Sequence, residues 1–86
     1  MHGTLEQNAT QQQFVAFGVV KRGGVRFGGS GFIKPNDTKL KDIYVNTTCL
    51  RRSGIRNLEE GAKVWCKWRP SDRGQPKAWV VRLDDS

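Results

Sequence analysis

The residues best placed to do chemistry lie between Gly28 and Asn46, in the stretch GGSGFIKPNDTKLKDIYVN. Phe32 and Lys34, then Tyr44 and Asn46, occupy every second position of two short strand-like runs, Gly31-Phe32-Ile33-Lys34 and Ile43-Tyr44-Val45-Asn46. Alternate side chains of a strand reach opposite faces, so these four point outward while Ile33, Ile43 and Val45 enter a core. Rings beside cations on a wet face suit a single-stranded nucleic acid, because bases stack on rings and phosphates need positive charge. Covalent chemistry has no comparable set. Acid–base and nucleophilic catalysis draw on neighbouring His, Cys or carboxylate groups. Here the sole histidine, His2, sits in a polar tail, and the carboxylates fall in turns or near the end of the chain. Cys49 and Cys66 are far apart, without a C-x-x-C pair or a nearby histidine, so no metal site and no cofactor are expected. GGSG precedes a strand rather than a helix, which makes it a poor nucleotide loop. The residues point to a binding module and not to an enzyme.

Five strands must position these groups: Phe14–Lys21, Gly31–Lys34, Asp42–Asn46, Ala62–Arg69 and Lys77–Leu83. The first, FVAFGVVK, is apolar and β-branched, which predicts a strand covered on much of both sides. RGGVRFGGSG follows, with five glycines in ten residues. It is either a long, loose turn or a working loop in which Arg22 and Phe27 stack on bases, Arg22 also meeting phosphate; Phe27 can equally pack inward. Pro35, Asn36 and Asp37 punctuate the next pair of strands. Thr47–Leu58 holds Arg51, Arg52 and Arg56 without an acid, and reads as a phosphate track or as a solvated, mobile loop. In the last hairpin, alternation puts Val64, Cys66 and Trp68 on one face of the first strand, and Ala78 and Val80 on one face of the second with Trp79 on the other. A turn centred in Ser71–Gly74 sets Trp65 opposite Trp79. Such a pair, near Lys67, either braces the hairpin or marks a protein-binding surface.

Length and charge narrow the setting. Eighty-six residues make one small domain with a thin core. Met1 to Gln13 lacks apolar periodicity and is expected to be a disordered tail, with residues 14–86 forming the domain. The net charge is +7 and the pI near 10, which suits polyanions or an acidic partner. With no secretory leader and no apolar run long enough to span a bilayer, the chain is expected in the cytosol or nucleus, with reduced thiols and no membrane or small-molecule partner.

GSGFI followed by DIYVN resembles the two ribonucleoprotein motifs of cold-shock domains, which read roughly G-aromatic-G-F-I and V-F-V-H. The NDTK between them is most similar to the Y-box branch. Gly18-Val19-Val20-Lys21 resembles the first-strand pattern G-x-V-K, Leu58 to Val64 resembles L-x-E-G-x-x-V, and Gly74 to Val80 resembles G-x-P-x-A-x-x-V. The likeness spans about Phe14 to Leu83. It implies an all-β, five-stranded antiparallel Greek-key barrel of the OB type, with Val64, Cys66, Trp68, Ala78 and Val80 facing the core, which leaves Trp65 and Trp79 outward. It also implies binding of single-stranded RNA or DNA, RNA ahead of DNA, with low sequence specificity. Several family positions differ: Lys21-Arg22-Gly23 replaces K-W-F, Ser30 replaces an aromatic, Asn46 replaces histidine, and Thr47 stands where another aromatic is common. Phe32 and Tyr44 remain to stack bases, Lys21, Arg22, Lys34, Arg51 and Arg52 to hold phosphates, and Asn46 to offer an amide to a base edge. The thinned platform leaves a rival, a domain repurposed for protein contact through Trp65, Trp79 and Lys67.

Overall fold

Residues 12–84 are described by the computed structural model; the expected disorder of the N-terminal tail falls, up to residue 11, outside them. The chain runs β1 (Phe14–Val20), β2 (Val25–Arg26), β3 (Ser30–Pro35), β4 (Ile43–Asn46), α1 (Thr47–Ser53), β5 (Asn57–Leu58), β6 (Lys63–Arg69) and β7 (Lys77–Leu83). Five of these strands close into a barrel in the order β1-β3-β4-β7-β6, the OB-type architecture that the cold-shock resemblance implies. A closed ring with an odd number of strands cannot alternate direction throughout. One seam must be parallel, and it is β4 against β7, where Tyr44 pairs with Lys77.

Alternation decides what enters the core. Ile33, Ile43 and Val45 are fully buried, together with Val20, Val64, Cys66, Ala78 and Val81. The short β2–β5 ladder pairs Val25 with Leu58 and adds both to the same cluster. β1 is covered on one side only, not on both as its apolar run suggests: Ala16, Gly18 and Val20 are buried, whereas Val15 and Phe17 are 54% and 47% exposed. β1 lies between β3 and β6 in a single-layered wall, and nothing among the described elements packs on its outer face.

The last hairpin departs from simple alternation. Lys67 pairs with Val80 but Trp68 pairs with Ala78, so Trp79 is the extra residue of a β-bulge. A bulge moves every residue beyond it to the opposite face. Val81 therefore takes the core position expected of Val80, which is only half-buried, and Trp65 stands opposite Arg82 rather than Trp79.

The expected loop after β4 begins with a helix. Asn46 caps α1, its Oδ1 accepting from the Cys49 amide at 3.0 Å, and Gly54 ends it in a left-handed turn at φ 72°. Cys49 and Leu50 are buried beneath it. Side chains of α1 also serve the backbone of the bulged strand. Arg52 Nη1 donates to the Trp79 carbonyl at 2.6 Å, and Ser53 Oγ accepts from the Val81 amide at 2.9 Å. Polar groups freed by a bulge need such partners.

Candidate nucleic-acid interface

Antiparallel pairing brings the two ribonucleoprotein-like runs side by side. Phe32 lies directly across from Tyr44, and their rings meet edge to face with centroids 5.7 Å apart. Phe32 is 39% exposed and Tyr44 half-buried, so both rings stand on the outer side while Ile33 and Ile43 fill the barrel. Lys34 is exposed two residues along β3 from Phe32 and opposite Val19 of β1.

Lys21 is fixed beside this pair, its backbone amide donating to the Phe32 carbonyl at 2.9 Å. Its ammonium group is not free, because Nζ bonds Asp42 Oδ2 at 2.6 Å. Asp42 shares the outer side with Tyr44, two residues on. Arg22 is exposed in the turn after β1.

Phe27 is outward, at 52% exposure, which settles the choice left open by the glycine-rich loop. The Arg51 guanidinium lies over its ring, 5.6 Å from the centroid. Thr47 holds this loop in place. Its hydroxyl accepts from the Gly28 amide at 2.7 Å and donates to the Gly29 carbonyl at 3.2 Å. Gly31 lets the loop approach β3: a Cβ there would stand 2.5 Å from the Gly24 carbonyl oxygen and 2.7 Å from Val25.

Two of the expected ligand groups also make contacts within the protein. The Oδ1 of Asn46 caps α1, which leaves its Nδ2 hydrogens as the donors it can offer a base edge. Arg52 leaves α1 on a different side from Arg51 and stacks on Trp79 at 3.4 Å. The outward Trp65/Trp79 pair is also absent. Each indole is half-buried, Trp79 carries the guanidiniums of Arg52 and Arg69, and Trp65 lies near Lys67 and Arg82. A protein-binding surface built on two facing, bare tryptophans has no basis in this geometry.

The contacts of Thr47 with Gly28, Ser53 with Val81 and Asp42 with Lys21 carry no local signal in the sequence, because each joins residues distant along the chain. A helix was nonetheless signalled, since Asn46 and Gly54 frame the TTCLRRS segment as a cap and a stop.

No family model matches the chain. It is similar to Cold shock protein 1 of Lactiplantibacillus plantarum, with 40% identity over 53 residues, 62% of this chain and 77% of that protein. The chain belongs to the cold-shock domain family. In this cold-shock domain the outer ring pair is intact on β3 and β4, and Arg22 stands where a further ring is usual. Arg22 follows Lys21, and Phe27 with Arg51 extends the surface past the Ser30–Asn46 end of the strand pair. Flat apolar faces and positive charge are thus presented together on one outer side of the barrel.

Proposed function

We propose that this domain is a non-catalytic binding module for single-stranded nucleic acid, RNA in preference to DNA, with low sequence specificity. Phe32 and Tyr44 stack bases, Lys34 and Arg22 meet phosphates, and Phe27 with Arg51 takes the next nucleotide. Lys21 joins them when phosphate competes with Asp42. The observation that carries this reading is the outward, edge-to-face Phe32–Tyr44 pair, with Phe32 exposed and Tyr44 half-buried, beside cations. Stacking and charge favour no base strongly, hence the low specificity. The NDTK segment, Asn36 to Lys39, supports reading the chain as similar to the Y-box branch of the family.

Anisotropy titration with labelled uridylate and deoxythymidylate oligomers tests it. At low salt both should bind, uridylate more tightly, and Tyr44→Ala should weaken binding by about 1–3 kcal/mol. Absence of binding at low salt, or affinity indifferent to Tyr44→Ala, removes the proposal.

A further inference from the structure

α1 sends two adjacent arginines to different sides of the barrel. Successive residues of a helix diverge by about 100°, so Arg51 reaches Phe27 while Arg52 reaches Trp79. Arg69, at the end of β6, also stands over Trp79, at 3.5 Å against 3.4 Å for Arg52. Two guanidinium carbons cannot both stand that close to one ring centre on the same side without overlapping. The indole is therefore sandwiched, and neither face is open to a base.

The stack offers preorganised cations instead. Guanidiniums held over a ring keep N–H donors that match phosphate oxygens. Arg52 uses one donor on the Trp79 carbonyl. Arg69 lies against the Gln13 side-chain amide, whose oxygen, once the amide is turned to face the guanidinium, accepts from Nε at 3.1 Å and Nη2 at 2.8 Å. Among the described residues neither guanidinium meets a carboxylate. A groove of about 340 Å³ runs alongside, lined in part by Arg52, Lys67, Arg82, Trp65 and Trp79, and no acidic residue lines it.

We propose that the Arg52–Trp79–Arg69 stack, with Lys67, is a second phosphate-binding site for the same single strand. A nucleic acid longer than the β3–β4 face can cover crosses α1 at Arg51 and Arg52 and continues on the β6–β7 side. Continuity selects this occupant over an acidic protein, because the two sites meet at neighbouring residues of one short helix. The inference rests on the single-strand reading above and extends it.

The test compares uridylate oligomers of about four and about sixteen nucleotides, the span known for single OB folds, on the full chain and on R52Q/R69Q. The short oligomer should bind both proteins equally. For the long one, losing two phosphate contacts should lower the log–log salt slope by about 1.4 and affinity roughly twentyfold at 0.1 M salt. Equal losses at both lengths, or an unchanged slope with the long oligomer, overturn the proposal. The second result makes the stack a hairpin brace or a dock for acidic protein. The unmodified chain supplies a check that does not depend on how the variant folds. The Trp79 indole N–H resonance should move with the long oligomer and not with the short one, and no movement with either also overturns it. Tyr44→Ala separates the two readings: binding at both lengths that ignores it ends the single-strand reading itself.

Discussion

Lys21 and Asp42 form an ion pair at 2.6 Å with side chains 46% and 35% exposed. Pairs so open to water contribute at most about 1 kcal/mol to stability, so Asp42 matters more for what it does to the ring face. It places negative charge on the side shared with Tyr44 and occupies a cation a phosphate would use. Asp42→Asn should raise affinity for a uridylate oligomer by about two- to fivefold at low salt, a gain that fades as salt screens it. Unfolding by urea should change by less than about 1 kcal/mol. A fall in affinity would show instead that Asp42 positions Lys21 for binding. Phe32 and Tyr44 were legible in the sequence, since their placement needs only the two-residue period of a strand. The partners of Lys21 and Trp79 were not, because they lie on elements distant in sequence.

At the scale of elements, the barrel strands were legible and the helix was misread. α1 is seven residues long and starts Thr-Thr-Cys, a segment with weak intrinsic helix preference. It depends on its caps and on Cys49 and Leu50 reaching the core. Asn46→Ala should cost about 1 kcal/mol of stability. Asn46→Asp should keep that stability, because an acid also caps and suits a helix N-terminus, yet weaken nucleic-acid binding by adding negative charge beside the ring face. Urea unfolding and anisotropy on the two variants separate capping from ligand contact; equal stability loss in both would show that the cap is not what Asn46 provides. The bulge in β7 was illegible for a different reason. Ala78, Trp79, Val80 and Val81 are all apolar, so alternation can be phased either way, and α1 selects the phase through Ser53. Ser53→Ala leaves the Val81 amide unsatisfied and should cost about 1–3 kcal/mol, read from the same urea curves.

For the whole molecule, net positive charge and a thin core pull in opposite directions. The +7 charge recommends the surface to polyanions, while cohesion rests on small buried side chains that include both thiols. Cys66 lies inside the barrel at 1% exposure, and burial, helped by Cys49, pushes its thiol from the ordinary 9.0 up to about 12. Burial raises Cys49 too, with the Ser53 hydrogen bond and Arg52 pulling the other way. The folded state thus holds Cys66 neutral where the unfolded chain would ionise it. Its contribution is fully present below pH 9.0 and is lost as pH climbs towards about 12, by roughly 1.4 kcal/mol per pH unit from this one group. Urea unfolding followed upward from pH 9 should show that slope. Cys66→Ala should be less stable at neutral pH, because a buried atom is lost, but flatter in the alkaline limb, since its unfolded state gains no thiolate. Deprotonation of lysines over the same range changes both proteins alike, so the difference between the two curves isolates the thiol. Identical alkaline slopes would mean that the barrel admits water to Cys66, and that its core is looser than the packing of β1, β6 and β7 requires.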